Sequence, residues 1–188
     1  MQKNKIFTKE TVMITVKLFS ICVVVALLLA GVNALTVDTI AENALKEQAD
    51  AIRAIFPACE DYDEVNTQTE GVTSAFLVRA GGKEIGFAAG VEPMGFGGKL
   101  SMIVGLDLSG KIVGVKIVSH SETPGLGGRV NDEGYLSQYI GKSGELTIGE
   151  NVDAITGSSI SSKAVLAGVN SAVKAFAELS GGDQGGAQ

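Results

Sequence analysis

The chain is poor in the side chains that usually build catalytic centres and metal sites. Its 188 residues include one histidine, two cysteines and no tryptophan. One histidine among scattered carboxylates is a weak basis for a zinc site, and two thiols cannot ligate an iron–sulfur cluster. Cys22 lies inside a long apolar run and Cys59 outside it, so these cysteines cannot pair within one chain. We therefore expect no metal site, no disulfide framework and no catalytic residue on this chain.

Positive charge is also scarce. The chain has 15 lysine and arginine residues against 21 aspartate and glutamate residues, a formal net charge of −6. Nucleic-acid-binding proteins need a basic surface for the phosphates, so this acidic excess argues against nucleic acid as a partner. The first residues are the exception, because Lys3, Lys5, Lys9 and Lys17 are opposed there by Glu10 alone.

One apolar run is long enough to cross a bilayer, which takes about 20 residues. Leu18 to Leu35 contains no charged residue, and Val12 to Val16 adds to it. We predict a cytoplasmic N-terminus at 1–11 and a transmembrane helix at 12–35. The basic flank stays cytoplasmic by the positive-inside rule, so this single-pass protein of the cell membrane would hold its remaining residues on the outer face. The alternative is a secretory signal cleaved near Ala34, whose apolar segment usually runs only about 7–15 residues.

Beyond the apolar run, the pattern predicts an α+β fold in which a small domain with an antiparallel sheet and flanking helices follows the transmembrane helix. Apolar residues recur at helical spacing over 36–57, which is either a stalk or docking helix or a helix packed on the domain's own sheet. The domain itself spans 58–179, and the polar, glycine-rich residues 180–188 form a frayed tail. The predicted elements are strands at Ser74–Arg79, Glu84–Val91, Leu100–Leu106 and Ile112–Val118, in a meander with a hairpin turn at Gly81-Gly82, and helices at Glu133–Ile140 and Lys163–Leu179.

A cluster of hydroxyl groups lies at the start of the last predicted helix. The segment Asp153 to Ser162 reads Asp-Ala-Ile-Thr-Gly-Ser-Ser-Ile-Ser-Ser. The N–H groups at a helix N-terminus and the positive end of its dipole suit a phosphate. The alternative is that Thr156, Ser158 or Ser159 simply caps the helix.

A second notable segment runs from Ser119 to Gly128 and contains His120, the chain's single histidine. Asp107 and Glu122 are plausible neighbours of His120, which either satisfies backbone groups of its loop or handles a proton. In Glu122-Thr123-Pro124-Gly125, proline fixes one backbone angle and glycine permits conformations closed to other residues. The glycine-rich segments at 95–100 and 125–130 lack the residue spacing of ATP-binding and dinucleotide-binding loops.

These segments resemble, in the same order, motifs of the FMN-binding domain family. Gly95-Phe96-Gly97-Gly98 with 103–107 is similar to that family's first motif, 119–128 to its second and 153–162 to its flavin-attachment motif. The family includes the G subunit of the Rnf complex and the C subunit of the sodium-translocating NADH:quinone oxidoreductase. In its usual Ser/Thr-Gly-Ala-Thr core, the last threonine is esterified to the phosphate of FMN. Thr156 and Gly157 match that core, Ser158 replaces the usual alanine, and Ser159 occupies the acceptor position.

The resemblance implies an electron-transfer subunit that carries FMN covalently through Ser159 and is not itself catalytic. Its implied partners are the other membrane subunits of an Rnf-type complex, which couples ferredoxin oxidation and NAD reduction to sodium or proton translocation. A separate flavin transferase, using FAD and magnesium, would attach the FMN. The other residues implied to bind FMN are Thr156, Gly157, Ser158, Ser162, Glu122, Thr123, Gly125, Leu126 and Gly127.

Three alternatives remain open from the sequence. The short chain fits the G subunit of the Rnf complex better than the longer C subunit of the quinone oxidoreductase, but a protein like that C subunit is one alternative. Another is a membrane-anchored module that holds FMN loosely and relays no electrons. The third is a secreted hydrolase with Ser159 as nucleophile, for which no motif ties His120 to that serine as a base.

Overall fold

A long helix, α1, runs from Lys9 to Ile55 in the computed structural model, which describes residues 9–182. Its portion from Lys9 to Val37 is long and apolar enough to cross a membrane. The helix continues without a break through 36–55, and the chain divides into two compact units between Lys46 and Glu47. Residues 1–8 of the predicted cytoplasmic N-terminus and 183–188 of the predicted tail lie outside the described residues.

The sheet is a five-stranded antiparallel meander in the order β1-β2-β3-β4-β5. Its strands are β1 (Asp61–Glu64), β2 (Val72–Ala80), β3 (Lys83–Val91), β4 (Leu100–Asp107) and β5 (Ile112–His120). The predicted meander and its hairpin are confirmed: Gly81 and Gly82 form the two-residue turn with φ of 57° and 72°, which glycine adopts without strain. Strand β1 was not predicted, because its sequence Asp-Tyr-Asp-Glu lacks the alternation of apolar and polar residues that is typical of a half-buried strand.

The last helix, α3 (Ser159–Gly182), packs on one face of the sheet. Its buried residues Val165, Val169 and Ala172 belong to the main hydrophobic core with Phe87 and Met102 of the sheet. The helix begins four residues earlier than the predicted start at Lys163, so Ser161 and Ser162 are part of its first turn. It also continues through residues 180–182, which the sequence assigned to a frayed tail.

The end of α1 packs on the opposite face of the sheet within the second compact unit. Ala51, Ile52 and Phe56 form a smaller core with residues of β2, β3 and β4. Gly86 and Gly105 make room for this contact, because a Cβ on either would lie under 3.0 Å from the Phe56 ring. Of the two alternatives for the 36–57 segment, packing on the domain's own sheet therefore describes its last turns.

Between β5 and α3 the chain forms short helical turns and loops. Helix α2 (Glu133–Leu136) and a 3-10 turn (Ser137–Tyr139) occupy the segment predicted to be helical at Glu133–Ile140. Tyr139 is fully buried there, and burial raises the pKa of its phenol above the ordinary value. These elements contact β5. The loops described next adjoin the end of the sheet at which Leu100 pairs with His120.

Candidate functional site

Two loops and the start of α3 line an open cavity of about 320 Å³. The register of the sheet explains why the loops meet, because Leu100 at the start of β4 pairs with His120 at the end of β5. The segment before β4 and the segment after β5 are therefore neighbours. The cavity is lined by Phe96, Glu122, Thr123, Leu126, Gly127, Gly157, Ser158, Ser159, Ile160 and Ser161. The three sequence motifs thus come together in space at this cavity.

The buried carboxylate of Glu122 fastens the three segments to one another. The residue is only 5% exposed. Its Oε1 atom accepts hydrogen bonds from the backbone N–H groups of Phe96 at 2.8 Å and Gly97 at 3.2 Å, and its Oε2 atom accepts one from the Ser161 hydroxyl at 2.8 Å. Because both oxygens are engaged and carry negative charge, Glu122 is suited to shaping the cavity rather than to holding a phosphate.

Glycines in the first two motifs provide the space that this buried carboxylate needs. A Cβ on Gly95 or on Gly127 would lie under 3.0 Å from an oxygen of Glu122. A Cβ on Gly97 would lie equally close to the backbone carbonyl oxygen of Ser121. The glycine-rich sequence that matched no ATP-binding or dinucleotide-binding loop is therefore accounted for by close packing of two loops around one carboxylate.

We expect Gly97→Ala to destabilise the domain by about 1–3 kcal/mol, the usual cost of overpacking. The obstacle is the Ser121 backbone, which cannot rotate away as a side chain could, so the two loops must separate. Urea unfolding of the full chain in detergent measures the effect. Gly134→Ala is the matched control, since nothing lies within 4 Å of its Cβ position. Equal stability of the two variants would contradict this account of the loop packing.

The hydroxyl cluster divides into buried and exposed groups. Ser158, Ser161 and Ser162 are buried, whereas Thr156 and Ser159 are exposed. The Ser161 hydroxyl is bonded to Glu122, and the Ser162 oxygen accepts a hydrogen bond from the Ile155 N–H at 3.0 Å. Of the two hydroxyls open to a reagent from solvent, only that of Ser159 lines the cavity.

The start of α3 has unpaired hydrogen-bond donors. Helix geometry leaves the first backbone N–H groups, those of Ser159, Ile160 and Ser161, without intrahelical acceptors. Within residues 9–182, no hydroxyl of Thr156, Ser158 or Ser159 bonds to these N–H groups, so the simple capping alternative is not what the structure shows. The hydroxyl of Ser158 is also buried without a partner among these residues. Donors at the positive end of a helix dipole fit a phosphate such as that of FMN.

Three of the residues implied to bind FMN are not among the residues that line this cavity. Thr156, Gly125 and Ser162 do not line it, and Ser162 is fully buried. Gly125 has φ of 75° and shapes the loop, in which the Leu126 and Gly128 N–H groups both donate to the Thr123 carbonyl. Conversely, Phe96, Ile160 and Ser161 line the cavity but were absent from the predicted set. For Phe96, its position between the motif glycines Gly95 and Gly97 was the sequence feature that could have predicted its place in the cavity wall.

The expected proximity of Asp107 to His120 is wrong. Asp107 lies at the far end of β4 and holds its own turn through hydrogen bonds from Ser109 and Lys111. The hydrogen bond from the Ser109 hydroxyl is the main cause that lowers the pKa of this carboxyl. The Nδ1 atom of His120 accepts a hydrogen bond from the Glu122 N–H at 3.2 Å. His120 therefore satisfies a backbone group of its loop, and the hydrolase alternative gains no base for Ser159.

Neither Cys22 nor Cys59 lines this cavity. Cys59 is partly buried with its thiol near the Asp61 carbonyl, and burial raises the pKa of that thiol. Over the described range 9–182, no group of three or more histidine, cysteine, aspartate or glutamate residues is arranged to hold a metal ion. The cavity is thus built from backbone N–H groups, hydroxyls, one engaged carboxylate and apolar side chains.

Comparison with known proteins supports the resemblance that the motifs indicate. One match covers the region of the motifs, and others extend over nearly the whole chain. The model of the FMN-binding domain matches residues 95–174. The G subunit of the proton-translocating ferredoxin:NAD(+) oxidoreductase complex of Clostridium ljungdahlii is 30% identical over 187 residues, covering 96% of each chain. The G subunit of the Na(+)-translocating ferredoxin:NAD(+) oxidoreductase complex of Acetobacterium woodii is 30% identical over 205 residues, covering 92% of this chain and 99% of that protein.

Among solved structures, the C subunit of the Na(+)-translocating NADH-quinone reductase from Parabacteroides distasonis is similar with a TM-score of 0.47 and 20% identity. It covers 63% of this chain, which in turn covers 78% of it. The resemblance identified from the motifs is confirmed by the match to the FMN-binding domain and by the 30% identity to the two G subunits over nearly the full length of this chain. This chain therefore belongs to the family formed by the G subunits of ion-translocating ferredoxin:NAD(+) oxidoreductase complexes.

Proposed function

We propose that this chain is an electron-transfer subunit of an Rnf-type, ion-translocating ferredoxin:NAD oxidoreductase complex and that it carries FMN as a phosphoester of Ser159. One observation carries the proposal: the exposed Ser159 hydroxyl lines a cavity at the start of α3 where backbone N–H groups lack acceptors. The names of the two G subunits and the match to the FMN-binding domain support the same assignment. The chain's partners are then the other membrane subunits of that complex.

Attachment needs a flavin transferase that supplies FAD. The Ser159 oxygen forms a bond to the phosphorus on the flavin side of FAD, the phosphoanhydride bond breaks, AMP leaves, and the hydroxyl proton is released. The product is a phosphodiester with one negative charge. The unpaired N–H groups of Ser159, Ile160 and Ser161 lie at the positive end of α3 and are placed to hold that charge.

The cavity walls suit the remainder of the cofactor. Phe96, Leu126 and Ile160 are large apolar side chains that line the cavity and are at least half exposed. Such a rim favours a planar, largely apolar ring, while Thr123 and Gly127 complete the wall beside it. When bound, FMN supplies the one-electron redox chemistry, and the protein contributes position, hydrogen bonds and exclusion of water.

Peptide mapping by mass spectrometry tests the attachment site. The full chain is produced together with a flavin transferase and digested with trypsin, which cuts after Lys142 and Lys163 and so yields one peptide with the whole hydroxyl cluster. We expect this peptide to gain the mass of FMN less one water, with the added mass on Ser159. A flavin on Thr156 would contradict the acceptor assignment. A flavin that is lost on denaturation would favour the loosely binding module over the covalent carrier.

For location, we propose a cytoplasmic N-terminus, a transmembrane helix within α1 at 12–35, and an FMN-binding domain at 58–179 on the outer face of the cell membrane. The apolar stretch of α1 and the lysines before it support this orientation. Lys83→Cys, introduced with Cys22 and Cys59 replaced by serine, provides an exposed thiol on the domain. A membrane-impermeant maleimide should label it in spheroplasts. Labelling only after membrane disruption would reverse the proposed orientation.

A further inference from the structure

The hydroxyl of Ser158 is buried without a hydrogen-bond partner. The residue is 6% exposed, and its Oγ atom forms no hydrogen bond within the described residues 9–182. Burying a hydroxyl in this way is unfavourable, because its bonds to water are lost without replacement. The neighbouring buried serines differ, since Ser161 is bonded to Glu122 and Ser162 to the Ile155 N–H. Among the three buried serines of this cluster, Ser158 is therefore the one whose hydroxyl has no hydrogen-bond partner within the described residues.

The position of the Ser158 hydroxyl indicates which hydrogen-bond acceptor could pair with it. Ser158 directly precedes the first residue of α3 and lines the same cavity as Ser159. We propose that Ser158 is a phosphate-positioning residue whose hydroxyl donates a hydrogen bond to the phosphate esterified at Ser159. This inference rests on the proposed function. A hydroxyl can rotate its hydrogen toward an acceptor, and hydrogen bonds to a charged oxygen are stronger than those between neutral groups.

This proposal relates the two positions at which the chain departs from the motif that it resembles, Ser158 in place of alanine and Ser159 in place of threonine. Threonine is β-branched and has a restricted χ1 angle, whereas serine at position 159 rotates more freely. An ester on serine therefore has more orientations than an ester on threonine. A hydrogen bond from Ser158 to the phosphate would select among those orientations, which the alanine usual at this position cannot do. Ser158 thus acts on the cofactor through its phosphate and takes no part in electron transfer itself.

The test compares Ser158→Ala with the parent in the presence and absence of attached flavin. Both full chains are produced with and without a flavin transferase, purified in detergent, and unfolded by heating in a calorimeter. Without flavin, removing the unpaired hydroxyl should raise Tm or leave it unchanged. With flavin attached, the same substitution removes a hydrogen bond to the phosphate. We therefore expect the change in Tm caused by Ser158→Ala to be about 2–5 °C more negative in the flavin-loaded form than in the flavin-free form.

Ser162→Ala is the control, because Ser162 is buried in the same turn but lies off the cavity. It should lower Tm equally in both forms, since the Ile155 N–H loses its acceptor with or without flavin. Equal shifts for Ser158→Ala in both forms, with a fluorescent denatured band proving attachment, would overturn this inference alone. A parent band without flavin fluorescence would overturn the proposed covalent attachment and this inference with it.

Discussion

We expect Ser159→Ala to abolish the proposed covalent flavin on this chain and Ser159→Thr to retain it. Alanine has no oxygen with which to form the phosphoester, and no other exposed hydroxyl of the cluster lines the cavity. Threonine keeps the hydroxyl and is the acceptor residue usual in the family. We expect the fluorescence of the denatured alanine variant to fall to background, which is a complete loss, and that of the threonine variant to equal or exceed the parent.

Ultraviolet fluorescence in a denaturing gel measures this directly, because only covalently attached flavin remains with the unfolded chain. Thr156→Ala is the matched control, since Thr156 is the cluster's other exposed hydroxyl and does not line the cavity. It should remain fluorescent. If Ser159→Ala remained fluorescent and Thr156→Ala did not, the acceptor of the flavin would be Thr156 and not Ser159. Membranes that contain the Ser159→Ala chain should also lose ferredoxin-dependent NAD reduction while retaining the assembled complex.

The sequence predicted the parts of this fold that local rules determine. Gly81-Gly82 between two alternating segments required a hairpin, and the register that follows from a meander brought the first two motifs to one end of the sheet. Residues of the three motifs identified in the sequence therefore line one cavity. Its acceptor residue was predicted by resemblance, and the exposure of Ser159 among buried serines is the physical support that the structure adds.

Long-range contacts account for what the sequence did not predict. Strand β1 exists because Asp61 to Glu64 pairs with β2, and its own residues carry no apolar alternation. Asp107 and His120 seemed to be plausible neighbours, but an extended strand separates them. The contacts of Glu122 with Phe96, Gly97 and Ser161 join segments far apart in the chain, so no local pattern predicted that both of its oxygens accept hydrogen bonds.

Those contacts make Glu122→Ala the substitution with the largest expected effect on stability. It removes the acceptor of the Phe96 and Gly97 backbone N–H groups and of the buried Ser161 hydroxyl, and it leaves a void between two loops and α3. A hydrogen bond to a charged group contributes about 1.5–3 kcal/mol, so the loss of three such bonds should cost about 3–5 kcal/mol after the exposed N–H groups bond to water. Urea unfolding of the full chain in detergent should show this loss. Glu150→Ala is the control, because Glu150 is exposed and should change stability by less than about 0.5 kcal/mol.

Glu122→Gln separates the two contributions that Glu122 makes. The glutamine side chain has nearly the same shape, and its carbonyl oxygen can still accept the bonds from Phe96 and Gly97, while Ser161 can rotate to accept from the amide. The lost charge weakens these bonds, so we expect a smaller destabilisation of about 1–2 kcal/mol. If Glu122 shapes the cavity, flavin attachment should follow stability: nearly normal in the glutamine variant and strongly reduced in the alanine variant. If the glutamine variant were stable yet lost the flavin, the negative charge itself would be required at the cofactor, and Glu122 would be a ligand-binding residue after all.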